Sequence, residues 1–336
     1  MSDGSAFFLL YLNEKRLPGS KTLQAQKWDL PLINLIKNLF KTRLIGFFYF
    51  HAPAPGVALT FTGIFRIMKH YFFYLLVMTG IAGCSLNNVK EEDTLKKYFD
   101  ENKVNGCFGV YNNATNQFTI YNLRRYRDSS FLPASTFKIV NSLIGLQEGK
   151  IVNDSMVIKW DGVVRPVKEW NKDLSMYEAF RVSSVPYYQE VARRIGKERM
   201  QFWLDSLGYG STKINSAIDT FWLDNSLKIT PDEELGLVKK LYFNQLPFFK
   251  NNQETVKRAM LFENNANYRL AYKTGWGKRE DGNQLAWVVG WVEENNHPYF
   301  FVLNFESADP AADIPAIRMN ILKNILTQLG FLKGKM

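Results

Sequence analysis

Three short motifs in a fixed order constrain this chain more than any other feature of its sequence. They are Ser-Thr-Phe-Lys at 135–138, Ser-Ser-Val at 183–185 and Lys-Thr-Gly at 273–275. Together they supply serine hydroxyls and lysine amines, which can pair as a nucleophile and its base. The first motif is the only Ser-x-x-Lys string in the chain, and it opens a predicted helix, which argues against a chance occurrence. The sequence therefore predicts an enzyme with Ser135 as its nucleophile.

The chain has few residues from which another kind of hydrolase site can be built. It contains three histidines and two cysteines. His51 and His70 lie before the mature domain predicted below, and His297 lies in a predicted turn. A Ser-His-Asp triad and a zinc site, which needs several converging ligands, are therefore excluded. Two cysteines are too few for a disulfide framework, so the base for Ser135 must be a lysine or a carboxylate.

A secretory signal is predicted over 68–83. A basic start at 68–70, an apolar run at 71–81 and small residues before Cys84 are typical of such a signal. The apolar run is too short to span a bilayer as a helix, which takes about 20 residues. The residues before Cys84 resemble a bacterial lipobox, which implies that a lipid is attached to this cysteine after cleavage. The alternative is a plain signal peptide with an incidental cysteine.

The signal determines the predicted organisation and location of the chain. Residues 84–99 are expected to form a tether, and residues 100–336 the catalytic domain. Because a signal must stand at the start of a chain, residues 1–67 are either an amino-terminal extension or an artefact of the assigned start. The expected product is an exported bacterial lipoprotein, periplasmic or anchored to the outer membrane, whose membrane contact is the lipid on Cys84.

The charge balance argues against a nucleic-acid partner. The formal net charge is +10 at pH 7, but more than half of this excess lies before residue 70. What remains is a mild, diffuse excess that can steer an anionic small molecule but forms no basic patch. The expected partner is therefore a small molecule and not a nucleic acid.

Strand patterns lie at both ends of the predicted domain, and helix patterns lie between them. Short β-rich runs are predicted at 107–111 and 117–121, on either side of an Asn-Asn hairpin signal. Helices are predicted at 133–148, 188–195, 197–207, 232–241 and 316–329, and strands at 270–274, 286–293 and 299–305. This order predicts an α+β fold, in which an antiparallel sheet flanked by helices stands beside a mostly helical lobe.

The chemistry of the first motif follows from its place at a helix start. The backbone N–H of Ser135 is among the donors that a helix leaves unpaired there, so it can bind a developing oxyanion. Lys138 lies one helical turn further on, which puts both side chains on the same face. The apolar neighbours Phe131, Leu132 and Phe137 predict a desolvated lysine, which loses its proton more readily than a solvated one.

The order of the motifs, with Ser-Thr-Phe-Lys first and Ser-x-Val second, resembles the class D (oxacillinase-type) serine β-lactamases. The resemblance covers about residues 100–330 and implies the β-lactamase/penicillin-binding-protein fold, with the site in a cleft between two lobes. It implies hydrolysis of the β-lactam amide of penicillin-like antibiotics through an acyl-Ser135 intermediate. It also implies that carbon dioxide adds to Lys138 and that the N-carboxylated lysine is the general base. No metal and no other cofactor are expected.

The resemblance also implies a set of substrate-binding residues. Lys273 supplies positive charge and Thr274 a hydroxyl for the substrate carboxylate, with which Arg318 pairs. The set is completed by Gly275 and by Trp276, whose backbone N–H is the second oxyanion donor. Taken without the resemblance, Arg318 is nearly as well explained as a solvated charge on a helix.

Other roles implied by the resemblance concern the proton relay and the carboxylated lysine. Ser183 passes a proton to the leaving lactam nitrogen, although this residue taken alone is better explained as a capping or loop hydroxyl. The indole N–H of Trp222 holds the carbamate. Val185 and Leu223 are apolar residues that keep it dry.

One position departs from the family pattern. Tyr-Gly-Asn usually follows the second motif, whereas this chain has Tyr-Gly-Ser at 209–211. Serine can still hydrogen-bond locally, but it is shorter than asparagine and lacks the amide. The loop that Ser211 anchors, and with it the shape of the cleft, is therefore expected to differ from that of the family.

Two other functions use the same motifs. Antibiotic-sensor domains share the fold but stay acylated, and such receptors carry several membrane spans and usually a His-Glu-x-x-His protease string, neither of which this sequence shows. Peptidoglycan transpeptidases deacylate slowly onto an amine and have Ser-x-Asn as the second motif, where this chain has Ser-Ser-Val at 183–185. A burst of acylation without turnover would favour either alternative.

Overall fold

A seven-stranded sheet lies at the centre of the fold. The computed structural model of the chain describes residues 88–334. The strands in this range are β1 (Val89–Glu91), β2 (Asn105–Asn112), β3 (Gln117–Tyr121), β4 (Val157–Ile158), β5 (Leu174–Ser175), β6 (Leu261–Asn264), β7 (Arg269–Lys278), β8 (Gln284–Glu294) and β9 (His297–Ser307). The main sheet has the order β1-β3-β2-β9-β8-β7-β6, and β4 pairs with β5 separately. The strands before and after the helical segment therefore meet at the β2–β9 pair.

Helices cover both faces of this sheet. The α-helices between residues 88 and 334 are α1 (Lys96–Glu101), α2 (Leu123–Asp128), α3 (Lys138–Gln147), α4 (Met176–Arg181), α5 (Val185–Ile195), α6 (Lys197–Leu207), α7 (Pro231–Tyr242), α8 (Lys250–Met260) and α9 (Ile314–Gln328). Phe99 of α1 and Ile325 of α9 belong to one buried core cluster, and Phe137 and Leu241 belong to a second. Two apolar cores and a mixed set of elements confirm the α+β fold class.

The β8–β9 hairpin is the most deeply buried part of the sheet. Every residue of β8 is buried, as expected for a strand with packed elements on both faces. Asn295 and Asn296 join the two strands with φ angles of +50° and +61°. Such left-handed conformations at both central positions are those of the tight hairpin turns that asparagine tolerates. The turn predicted around His297 is therefore shorter than expected, and His297 itself belongs to β9, where it pairs with Glu294.

Most predicted elements are confirmed, with ends displaced by a few residues. The first hairpin pairs β2 with β3 as expected. The predicted helix at 133–148 begins differently, because a 3-10 turn (Ala134–Phe137) precedes α3. The sheet also departs from a wholly antiparallel arrangement, since β1 runs parallel to β3.

The predicted tether at 84–99 needs correction from Val89 onward. Strand β1 lies at the edge of the sheet beside β3, and a 3-10 turn (Asp93–Leu95) leads into α1. Leu95 and Phe99 lie four residues apart and are both buried, because this spacing puts them on one helical face. The predicted signal at 68–83, Cys84 and residues 1–67 lie outside the described residues. None of the helices between residues 88 and 334 is long and apolar enough to cross a membrane.

Candidate active site

The first motif forms a tight turn followed by a helix. Ser135 lies in the 3-10 turn, and Lys138 is the first residue of α3. The Nζ atom of Lys138 donates a hydrogen bond to Oγ of Ser135 over 2.7 Å. Lys138 is fully buried and Ser135 nearly so. The structure therefore brings the predicted nucleophile and the predicted base into direct contact.

Lys138 lies where a positive charge is poorly solvated. Burial lowers the pKa of its ammonium from the usual 10.5 to about 7. Its Nζ atom faces the ring of Tyr188, with 5.6 Å between the nitrogen and the ring centre. A large share of Lys138 is therefore the neutral amine near neutral pH, with a lone pair that can accept a proton or attack an electrophile.

Ala134, the residue directly before the nucleophile, has a strained backbone conformation. Ala134 has a φ angle of +50°, a conformation that costs a residue with a side chain about 1–3 kcal/mol. Its N–H donates to the carbonyl oxygen of Trp222 over 3.0 Å, and the N–H of Thr136 donates to that of Pro133 over 3.1 Å. These bonds hold the turn in place, so that the side chain of Ser135 keeps one direction.

The second and third motifs also meet. Nζ of Lys273 donates to Oγ of Ser183 over 2.9 Å and to the carbonyl oxygen of Thr274 over 3.0 Å. Ser183 has a φ angle of +55° and stands between α4 and α5. The next residue, Ser184, caps α5 by accepting a hydrogen bond from the N–H of Tyr187. The capping role therefore belongs to Ser184, which leaves the hydroxyl of Ser183 to Lys273.

The two lysines belong to one electrostatic neighbourhood. Burial, together with the positive charges of Lys138 and Arg318, holds the pKa of Lys273 well below its usual range. A positive charge on Lys138 or Arg318 therefore makes a positive charge on Lys273 less favourable. A site of this kind is stabilised by an anionic ligand, which removes part of the repulsion.

Strand β7 lies against the catalytic turn because Gly275 has no side chain. A Cβ atom at this position would lie 3.1 Å from the carbonyl oxygen of Pro133 and 3.0 Å from the indole of Trp287. The indole N–H of Trp287 in turn donates to the carbonyl oxygen of Leu132 over 2.9 Å. The glycine of the third motif therefore lets the strand that carries Lys273 approach the turn that carries Ser135.

Arg318 brings a third cation to this strand from helix α9. Its Nη1 atom donates a weak, 3.4 Å hydrogen bond to the carbonyl oxygen of Gly275. Its Nε atom is buried and has no hydrogen-bond partner within residues 88–334, and burial lowers the pKa of the guanidinium. A buried guanidinium with an unused donor is suited to bind a carboxylate. Trp276 stands half-exposed on the same strand, and its indole donates to Gln284.

Of the residues predicted to support a carboxylated lysine, Trp222 packs against the catalytic turn. The ring of Trp222 is fully buried and stacks on that of Phe137, with 5.3 Å between the ring centres. Its indole N–H has no hydrogen-bond partner in the described part of the chain. An unpaired donor is costly in an apolar setting, so Trp222 fits an added anionic group. Leu223 packs against the same large apolar core, and Val185 is a half-buried residue at the start of α5.

The structure offers no alternative catalytic group to replace the lysine. The described residues contain no group of three or more His, Cys, Asp or Glu side chains that can hold a metal ion. His297 lies at the start of β9, where its ring accepts a hydrogen bond from the N–H of Ala114. Cys107 is buried, and burial raises the pKa of its thiol to about 12. It is therefore an inert core residue.

Comparison with known proteins decides the family. The family model described as the penicillin binding protein transpeptidase domain matches residues 96–327. The chain is 38% identical to the β-lactamase OXA-48 of Klebsiella pneumoniae over 239 residues. The matched region covers 71% of this chain and 89% of that relative. It also matches the solved structure of FUS-1 (OXA-85), a class D β-lactamase from Fusobacterium nucleatum subsp. polymorphum. The TM-score is 0.69 at 36% identity, over 73% of this chain and 100% of that one.

The chain belongs to the class D β-lactamase family. This membership confirms the family, the fold and the enzyme class that the three motifs predict. A further relative is the regulatory protein BlaR1 of Bacillus licheniformis, at 34% identity over 237 residues. The match covers only 39% of that protein, whereas OXA-48 is covered almost throughout. The similarity to class D β-lactamases is therefore the more complete one.

The serine that departs from the class D pattern is fully engaged in the structure. The N–H of Ser211 donates to the carbonyl oxygen of Lys228 over 2.8 Å, and its Oγ atom accepts from the N–H of Lys228 over 3.2 Å. Gly210 has a φ angle of +54°, and a Cβ atom there would lie 2.2 Å from the same carbonyl oxygen. A backbone pairing with Lys228 therefore anchors this loop, and the short serine side chain takes part in it.

Sequence reasoning missed one residue next to this class D site. Glu234 of α7 is fully buried and lies within hydrogen-bond distance of the hydroxyls of Thr136 and Tyr209. In the sequence it is one of three acidic residues in the first turn of a helix, where acidic residues are favoured for the helix dipole. Pattern alone does not show which of the three points inward.

Proposed function

We propose that this chain hydrolyses β-lactam antibiotics through an acyl intermediate on Ser135. The observation that carries the proposal is the 2.7 Å contact between the buried Lys138 Nζ and Ser135 Oγ. A buried lysine with a pKa of about 7 can remove the hydroxyl proton as the oxygen attacks a carbonyl carbon. Within residues 88–334 the one histidine, His297, contacts Ala114 and Asn112, whereas Lys138 contacts the nucleophile directly.

Acylation needs a proton donor for the leaving nitrogen. As the oxygen of Ser135 bonds to the lactam carbonyl carbon, the carbon–nitrogen bond breaks and the nitrogen must gain a proton. The hydroxyl of Ser183 can donate this proton. Lys273, which donates a hydrogen bond to that hydroxyl, can then supply a proton to Ser183 in return. The product is a ring-opened ester on Ser135. The oxygen of water then bonds to the ester carbonyl carbon, and the bond from that carbon to Oγ of Ser135 breaks. Oγ takes up a proton lost by the water, which regenerates the hydroxyl and releases the ring-opened acid.

The substrate is held by charge and by backbone donors. Penicillin-like molecules carry a carboxylate, for which Arg318 has an unused, buried Nε donor. Lys273 and the hydroxyl of Thr274 provide further donors on β7. The backbone N–H groups of Ser135 and Trp276 would bind the oxyanion that forms during attack.

Lys138 is further proposed to carry a carbamate formed from carbon dioxide. The support is the buried amine, whose pKa is lowered to about 7, together with the unpaired indole N–H of Trp222. When present, this group supplies an anionic base for the proton of Ser135 and later for that of water. Trp222 would hold the group by donating its N–H, and the apolar side chains of Val185 and Leu223 would exclude competing water.

Hydrolysis of a chromogenic cephalosporin by the purified chain tests this function. We expect steady turnover, no turnover with Ser135→Ala, and a higher rate when bicarbonate is added. Trp222→Phe keeps the stacked ring but loses the N–H, so it should need more bicarbonate for half-maximal activity. Phe202, an exposed aromatic residue of α6, offers a matched control as Phe202→Leu. A burst of acylation without turnover would instead support the sensor or transpeptidase function.

Export and lipid attachment are proposed separately, because they concern residues outside 88–334. The segment at 68–83 is proposed to be a signal peptide, and Cys84 to carry the lipid that holds the enzyme at a bacterial membrane. Metabolic labelling with a fatty acid should mark the wild-type chain and not Cys84→Ser. Labelling of neither chain would leave a plain signal peptide as the better explanation.

A further inference from the structure

A buried carboxyl group stands directly behind the catalytic turn. Oε1 of Glu234 is 2.6 Å from Oγ1 of Thr136, the residue after the nucleophile, and 2.9 Å from the hydroxyl oxygen of Tyr209. Glu234 and Thr136 are fully buried and Tyr209 nearly so. Oε2 of Glu234 has no hydrogen-bond partner within residues 88–334. Nothing in the reaction described above uses this group.

Counting hydrogens favours a protonated carboxyl group. Oγ1 of Thr136 also lies 2.8 Å from the carbonyl oxygen of Pro133, so the cluster contains three oxygen–oxygen contacts. Thr136 and Tyr209 have only one hydroxyl hydrogen each for these contacts. A protonated carboxyl group of Glu234 supplies the third. An ionised carboxylate would leave the three contacts to share two hydrogens.

The protonated acid gives every hydrogen a partner. Glu234 donates to Oγ1 of Thr136, Thr136 donates to the carbonyl oxygen of Pro133, and Tyr209 donates to Oε1 of Glu234. The Thr136–Pro133 bond closes the turn that contains Ser135. The same carbonyl oxygen lies against Gly275 of β7, so the chain of hydrogen bonds reaches from α7 to the strand that borders the site.

We propose that Glu234 is a positioning residue: a neutral carboxylic acid that donates its proton to the Thr136 hydroxyl and so fixes the turn that carries Ser135. This role rests on the proposed function, since it concerns the acylation of Ser135. Glu234 touches neither the nucleophile nor the base. It acts through Thr136, and its effect should appear in the rate of acylation more than in substrate binding.

The surroundings of Glu234 agree with an uncharged acid. Burial raises its pKa from 4.5 to about 7, against the opposing effect of its two hydroxyl partners. The other ionisable groups that act on it are Tyr209, which follows α6, and Glu233 on its own helix. The negative charge of Glu233 raises the pKa further. Above neutral pH the acid would lose its proton, and the contact with Thr136 would lose its hydrogen.

Difference infrared spectroscopy tests the protonation state without any substrate. The wild-type chain at pH 6, compared with Glu234→Gln, should show the carbonyl band of a protonated carboxylic acid. The band should give way to that of a carboxylate as the pH is raised to 9. Glu198→Gln, a change at an exposed glutamate of α6, should leave the band in place. A carboxylate band already present at pH 6 would overturn the proposal.

Single-turnover acylation tests the positioning role. Glu234→Leu and Thr136→Val each lose the contact and should acylate about tenfold more slowly with KM little changed. The double variant should be no slower than the slower single variant, because both changes break one chain of bonds. Glu234→Gln, whose amide can still donate, should recover most of the rate and lose the decline of the rate above pH 7. Additive losses, or a Glu234→Gln variant as slow as Glu234→Leu, would contradict the role.

A variant that fails to fold can be distinguished from a failure of the proposed function. Circular dichroism and the melting temperature show whether Glu234→Leu folds, and Thr136→Val, which keeps the side-chain volume, carries the rate test if it does not. A wild-type chain that is never acylated would overturn the proposed function and the positioning role with it. The infrared band would still decide whether Glu234 holds its proton.

Discussion

Lys273 donates a hydrogen bond to Ser183 over 2.9 Å and thereby joins the third motif to the second. The pKa of the Lys273 amine is strongly lowered, so Lys273 can pass a proton to Ser183 and recover it later. This arrangement is suited to proton transfer. Neither Lys273 nor Ser183 is needed to cap the helix, because Ser184 caps α5.

Removing the Ser183 hydroxyl should therefore slow the chemical step. We expect Ser183→Ala to lower kcat about 100-fold, within the range that general acid–base groups contribute. Steady-state and single-turnover kinetics with a penicillin measure the effect. Ser206→Ala, at an exposed serine of α6 that bonds its own helix, is the matched control. A Ser183→Ala enzyme within twofold of the wild type would remove this residue from the relay.

Arg318 should act on substrates that carry a carboxylate. Because its buried Nε donor has no partner in the described chain, Arg318→Ala should raise KM for a penicillin about tenfold. The same variant should change KM little for the methyl ester of that penicillin, which has no free carboxylate. Lys323→Ala, at an exposed, salt-bridged lysine on the same helix, is the control. Equal losses for the acid and the ester would argue against a direct contact with the carboxylate.

Two glycines should respond to alanine in opposite directions. Gly275→Ala places a methyl group against Pro133 and Trp287, so we expect a loss of about 1–3 kcal/mol of stability and of most activity. Gly236 lies within α7, and its added Cβ would meet nothing within 4 Å. Gly236→Ala should raise stability by about 0.5–1 kcal/mol. Urea unfolding and hydrolysis assays measure both, and a neutral Gly275→Ala would contradict the close approach of β7 to the turn.

The stability of the protein should depend on Glu234 in a defined pH range. Its pKa is raised by burial from 4.5 to about 7, so its contribution is fully present below pH 4.5 and is lost as the pH rises through 7. The loss should amount to about 3 kcal/mol of unfolding free energy. Lys138 has a lowered pKa of about 7 and acts in the opposite sense, between pH 7 and 10.5.

Urea unfolding between pH 4.5 and 7 therefore isolates the carboxyl group. The difference between the wild type and Glu234→Gln should shrink steadily over this range, because the amide does not titrate. A difference that is constant with pH would show that Glu234 has the same protonation state in the folded and unfolded chains.

The sequence was sufficient to place one contact of the candidate site. Lys138 meets Ser135, as their spacing in the first motif predicts, whereas the contact between Lys273 and Ser183 was not predicted. The hairpins and most helices were also predictable, because their apolar residues repeat with the period of a strand or of a helix. These features depend on local patterns, which are visible without a structure.

Features that depend on distant neighbours could not be predicted. Strand β1 has only three residues, two of them charged, and forms because the edge of β3 is open to it. The strained φ angle of Ala134 is held by a bond to Trp222, which lies far along the chain. The burial of Glu234 depends on Tyr209 and Thr136, which its helix meets only in the folded protein.

The proposed function depends most directly on Lys138 acting as the base for Ser135. Mass spectrometry of the chain, quenched soon after mixing with a slowly hydrolysed penicillin, measures this step. We predict that the wild type gains the mass of one penicillin, on the peptide that contains Ser135, and that Lys138→Ala gains it at least 100-fold more slowly. Equal labelling of the two proteins, or an adduct on a peptide without Ser135, would contradict the account.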